Sequence, residues 1–403
     1  MTLGRPMAAT LACAVLLTAC GGSTDAPTTS ATAGATPSGT AAPTSSPASP
    51  TAAPSASDAS FTSWPMTASF DTDPATSYVT DVAAWSGGFV AIGSAWEGVA
   101  HVTKEVPALW TSVDGETWDQ QPIELGVDDV ALIGIAPRPD GQLLLVGRVP
   151  GTGAVFPETA APGSVAWTSD DASSWQAVAL PVSDGAVVDS FDHGPIGYAL
   201  TADGGLWFSA DGTEWTMTYD GARGVVAGDE GFVALVFPES AGANTVVASG
   251  DGQSWFASAP IVERVFDVAA LGGDWMAVGA TADPHTITVW HSANGLDWTR
   301  VLDVNDLTGP DGAKTGRGLD ALAINGASFA GGAGYAFLTL TNNHCCAQMS
   351  WNYGVWGSAD ATTWAPVVEG DAFVSSVASD GEATVLAGHL RRGENAAFWV
   401  GDR

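Results

Sequence analysis

From about residue 61 the chain alternates short apolar runs with glycine-bearing turns. "DVAAWSGGFVAIGSAW", residues 81–96, is an apolar run, a Ser-Gly-Gly turn and a second apolar run. Such runs, bounded by Gly, Asp and Asn, predict β-strands, and no segment carries the period of an amphipathic helix. "ALWTSVDGETW", Ala108–Trp118, adds a third strand, a tight Asp-Gly turn and the start of a fourth. Nearly the same phrase returns with its last residue at Trp175, Trp215, Trp255, Trp298 and Trp364.

Four short strands per unit of about 40–50 residues predict a β-propeller blade. The domain begins with a fourth strand at "FTSWPMTA" and ends with a third strand at "AAFWVGDR". The N-terminal strand is therefore expected to complete the last blade, which closes the ring and removes its open edges. The expectation is all-β, seven blades of four strands. It also accounts for the tryptophans. Of 17, seven occupy fourth-strand positions and six occupy third-strand positions, with Val247 in the remaining place. Large flat side chains at fixed positions suit the wedge between blades.

The turn carries a resemblance. Ser112, Asp114, Gly115 and Trp118 resemble the Asp box, or BNR repeat, of sialidases and other propellers. The resemblance implies that the Asp accepts backbone amide bonds, the Ser ties the turn and the Trp packs between blades. Further copies carry Asp171 with Trp175, Asp211 with Trp215, Asp251 with Trp255 and Asp360 with Trp364. In one copy Asn294 stands for the Asp before Trp298, and Ala172 and Ala361 replace the Gly. The box implies a fold and not an activity, because it lies opposite the usual binding face. Sialidase chemistry is not expected: no Arg-Ile-Pro stretch occurs and no arginine triad is recognisable.

The N-terminus reads as a separate matter. Arg5 precedes an apolar run, Met7–Leu17, with the character of a secretory signal. Leu17-Thr18-Ala19-Cys20 resembles the bacterial lipobox, which implies cleavage after residue 19 and lipidation of Cys20. Residues 20–60 are Ala, Thr, Ser, Pro and Gly with almost no charge, a flexible tether with a reach of roughly 35 Å. The propeller is expected over 61–403, held by lipid at the outer face of the cell membrane. The formal charge of −32 argues against nucleic acid and anionic lipid surfaces as partners, since both need a basic footprint. A monomer is expected.

Candidate chemistry lies on the face bearing the loops between strands two and three. Asp81, Asp129, Asp189, Asp267 and Asp320 start the innermost strands, with Gly224 and Ser376 in the equivalent places, and are expected to ring the channel mouth. They read either as a cation site or as caps of the loops between blades. His101, His285, His344 and His389 break the repeat, with Cys345 and Cys346 beside His344. Such groups could ligate Zn or Cu, although no local metal motif occurs and no cofactor is required. Calcium at Asp303–Gly312 lacks the EF-hand spacing. Trp96, Trp351 and Tyr353 lie outside the repeat positions and suit stacking on a sugar, beside Arg391 and Arg392. The expected function is non-catalytic binding of an extracellular glycan, protein or envelope component. The alternatives are a glycoside hydrolase or lyase using Glu97, Glu158, Glu239 or Glu394, and an extracytoplasmic assembly factor.

Overall fold

A computed structural model describes residues 64–70, 76–99, 102–127, 130–149, 163–180, 182, 186–236, 245–259, 261, 264–280, 286–307, 326–332, 334–343, 350–368, 372–390 and 395–401. These form seven four-stranded antiparallel sheets, each a meander from an inner strand to an outer one. The inner strands are Thr76–Trp85, Ala131–Pro137, Val188–Gly194, Ala222–Gly228, Arg264–Leu271, Gly326–Gly332 and Ala372–Ser379, for blades 1 to 7. Blade 7 takes its outer strand, Met66–Phe70, from the other end of the chain. Met66 pairs with Trp399 and Phe70 with Ala396. The Trp64 amide donates to the Val367 carbonyl at 2.9 Å, and its indole sits edge-on to Phe337, 5.2 Å away.

The core is divided in the same way. Each of the seven apolar clusters fills one wedge between neighbouring blades. Between blades 7 and 1, Trp118 stacks on Phe398 with centroids 3.9 Å apart, and Trp110 meets the same ring on edge. The repeated tryptophans thus lock one sheet face against the next.

On one face of the ring the strands are joined by tight turns. In blade 1, Asp114 Oδ1 accepts the amides of Glu116 and Thr117 at 2.9 and 2.8 Å, and Ser112 Oγ accepts the Gly115 amide at 2.8 Å. Gly115 has φ +75°, and a Cβ there would lie 2.7 Å from Val385 of blade 7. Glycine lets the turn sit flush on the preceding blade. Ala172 and Ala361 hold φ of 58° and 64°, with their methyls buried in the wedge.

The opposite face is uneven. Blade 1 carries the long hairpin Gly88–Val99 with Val102–Ser112, paired as far as Val99 and Val102. Blade 3 ends there in the Asp203-Gly204 turn.

Candidate functional site

The inner strands of all seven blades enclose a lumen of about 310 Å³. Their free edges present backbone amides to the preceding blade, and such edges need partners. The sequence supplies these at one recurring position. In six of the described inner strands a β-bulge sits near the loop-bearing end, between Val79 and Asp81 in blade 1 and between Val265 and Asp267 in blade 5. Where the residue after the bulge is Asp or Ser, its side chain reaches across to the next blade.

Asp81 Oδ2 accepts the Ile135 amide of blade 2 at 2.9 Å, and Oδ1 accepts the amide of Val82. Asp267 repeats this with Phe329 of blade 6, at 2.9 Å, and with Val268. Ser190 Oγ accepts the Val225 amide of blade 4 and donates to its carbonyl. Ser376 Oγ accepts the Val82 amide of blade 1 and donates to Asp81 Oδ1 at 2.7 Å. Gly134 and Gly224 take the place in blades 2 and 4. At Gly134 a Cβ would lie 2.4 Å from Phe191, so only glycine fits.

Blade 3 adds a second carboxylate deeper in the lumen. Asp192 Oδ1 accepts the His193 amide at 2.7 Å, and Oδ2 accepts the Ala227 amide of blade 4 at 2.9 Å. The His193 ring lies against Tyr198, with centroids 6.2 Å apart.

These groups face a small lumen and are otherwise surrounded by protein. Burial pushes the Asp81 carboxyl up, against the bonds from Ile135, Ser376 and Val82. Burial lifts Asp192 to about 7, and the Asp81 charge adds to the rise. Burial lifts Asp267 to about 6 and lowers His193 to about 4. Among the described residues no three His, Cys, Asp or Glu side chains are grouped to hold a metal ion.

The other expected residues fall as follows. Asp189 occupies the bulge itself and is exposed at the lumen mouth; Ser190 takes the aligned place. His389 lies on the second strand of blade 7, stacked on Phe373 with centroids 4.9 Å apart. Trp96 pairs with Thr76 and Glu105 on the blade 1 hairpin, and Trp351 pairs with Asn342 in blade 6. The side chains of Trp96, Glu97, Trp351 and Tyr353 lie outside the described residues, as do Asp129, Asp320, His101, His285, His344, Cys345, Cys346, Arg391, Arg392, Glu158, Glu239 and Glu394. The structure adds Asp192 and His193 to the lumen lining, and Arg223 and Arg264 near the starts of the inner strands of blades 4 and 5. The signal for the first two was "DSFDHG", where an inner strand turns polar instead of apolar.

No protein-family model matches the chain, and no curated protein does. An ancestral GH74 enzyme superposes with a TM-score of 0.50 at 14% identity, over 80% of this chain and 47% of its own. The likeness is one of fold. The GH74 xyloglucanase from Xanthomonas campestris gives 0.47 at 14% identity, over 77% of this chain and 50% of its own. The β-propeller domain of the Trilobed protease from Pyrococcus furiosus gives 0.48 at 11%, over 81% and 96%. This propeller thus spans about half the length of either GH74 chain.

Proposed function

We propose that the chain is an extracytoplasmic lipoprotein, anchored at Cys20, whose propeller binds a glycan on its loop-bearing face without cleaving it. One observation carries the non-catalytic part. The lumen carboxylates Asp81, Asp192 and Asp267 are each engaged in holding one blade to the next through backbone amides. A carboxylate that staples the ring is poorly free to move protons on a substrate. The opposite face is closed by short turns of the Asp-box kind, which leaves binding to the face with the long connections. Trp96, Trp351 and Tyr353 are the stacking groups of this reading.

A hydrolase is the second reading, and Asp192 is what favours it. A carboxyl titrating at about 7 has the proton affinity of a general acid. The GH74 likeness is compatible with either reading.

Both are tested by incubating the full chain with neutral and acidic oligosaccharides, recording thermal shifts and chromatographing the products. Binding predicts a shift with no new product, about 2.7 kcal/mol at 100 times the dissociation constant. Trp96→Ala should weaken it. Cleavage that disappears in Asp192→Asn would replace binding by hydrolysis. No shift with any oligosaccharide would remove the glycan reading.

A further inference from the structure

Basic side chains are scarce here, 12 against 44 acidic ones. The described arginines divide by position. Toward the tight-turn face, Arg138 pairs with Asp140 and Arg300 with Asp303, both at 3.1 Å. At the loop-bearing ends of their strands, Arg148, Arg223 and Arg264 make no ion pair within 4.0 Å among the described residues.

Their placement follows from the blades. Arg148 is the penultimate residue of the second strand of blade 2, paired with Ala131 and Ser164. Arg223 is the bulge residue of blade 4, and Arg264 opens the inner strand of blade 5. Arg223 and Arg264 are exposed. The Arg264 guanidinium lies 5.2 Å from the Phe266 ring centroid, which supports its flat face and leaves its N–H edge for a ligand. Asp189 stands on the bulge of blade 3, between blades 2 and 4. Burial raises its pKa, and the charges of Arg223 and Arg148 both act on it in the opposite sense.

We propose that Arg148, Arg223 and Arg264 form an arc at the lumen mouth that holds the carboxylates of an acidic polysaccharide. This rests on the glycan-binding reading and names the class of glycan. Three guanidinium forks on three blades suit several carboxylates along one chain, since one carboxylate fills one fork. The chain's formal charge of −32 repels a dianion more than a monoanion, which favours carboxylate over phosphate. Asp189 inside the arc tempers the attraction.

The test uses the full chain with oligogalacturonate and oligoalginate as carboxylate probes. Methyl-esterified oligogalacturonate, a neutral oligosaccharide and inorganic polyphosphate are the comparators. The two acids should bind, with affinity falling as salt rises. Arg223→Ala and Arg264→Ala should each weaken binding about three- to tenfold. Asp189→Asn should strengthen it, and Arg300→Ala should leave it unchanged. Thermal melts establish that each variant is folded, and Arg223→Lys should keep part of the affinity. Binding of the neutral sugar or the ester as tightly as the acid, indifferent to the arginines, would overturn the arc and leave glycan binding standing. Preference for polyphosphate would overturn the carboxylate assignment. Failure of every probe would remove both readings.

Discussion

The lumen and the turn face use the same bond to opposite ends. In the turn of blade 4, Asp251 Oδ1 accepts the amides of Gln253 and Ser254 at 2.8 and 2.6 Å. In the lumen, Asp267 accepts the amides of Val268 and Phe329, both at 2.9 Å. The donors are alike and the distances close. Yet the Ser254 and Gln253 amides pull Asp251 down to about 2, while burial pushes Asp267 up to about 6. Amide bonds favour the carboxylate in both places; one stands in open solvent, and protein encloses most of the other. The turns are held by charge that costs little, and the ring centre by charge that is expensive to keep.

The largest expected effect breaks the turn side. Gly252 has φ +70°, and a Cβ there would lie 2.2 Å from the Phe208 ring of blade 3. Gly252→Ala combines a left-handed alanine with overpacking of a wedge, at about 4 kcal/mol. Urea unfolding measures it, and a loss under about 1 kcal/mol would mean the turn does not abut blade 3 as described.

A somewhat smaller effect separates the two sides by pH. Lumen carboxyls with raised folded pKa values bind protons more readily in the native state than in the unfolded chain. Stability should therefore rise as pH falls from about 8 to about 5, through the values near 7 for Asp192 and near 6 for Asp267. With lumen water screening about half of the effect, the gain over that range is about 2 kcal/mol. The turn carboxylates work in the other sense. Asp211 and Asp251, held at about 2, contribute stability above the ordinary carboxylate range that is lost as pH falls toward 2. Melting temperature against pH should peak between about 4 and 5. Asp192→Asn should flatten the limb above the peak, and an unchanged limb would show that the lumen carboxyls do not titrate there.

The frame of this molecule was legible because it repeats. Trp118 and its counterparts mark the blades at intervals of a few tens of residues, six of them with the Asp-Gly turn or a variant of it, and Trp64 shows where the ring closes. The inner position was legible at Asp81, Gly224, Asp267 and Ser376, which align along the repeat. It slipped by one at Asp189, because the β-bulge advances the chain and hands the place to Ser190. The clasp itself could not be read: Ser376 and Asp81 are 295 residues apart and meet only through ring closure. Asp192 lies off the recurring position, and its one signal is the polar turn of "DSFDHG". Arg223 and Arg264 form no motif, and what distinguishes them is that neither makes an ion pair among the described residues, which only the fold reveals.

The smallest effect sharpens the comparison by making one lumen carboxylate more like a turn carboxylate. Gly224 precedes Asp267 around the ring as Ser376 precedes Asp81. A Cβ at Gly224 would have its nearest neighbour, Leu235 Cβ, 4.0 Å away, so a side chain fits. Gly224→Ser should therefore copy Ser376, its hydroxyl donating to Asp267 Oδ1 and accepting the Val268 amide. The new bond and the stiffer unfolded chain together should add about 1 kcal/mol. It should also move the Asp267 titration downward, as the Ser376 bond does for Asp81. The two effects have separate readouts: a higher melting temperature at pH 7, and a shallower fall in stability above pH 5. A gain without the change in pH dependence would mean the serine merely stiffens the unfolded chain. Both together would show that one hydroxyl does for a lumen carboxylate what water does for those in the turns.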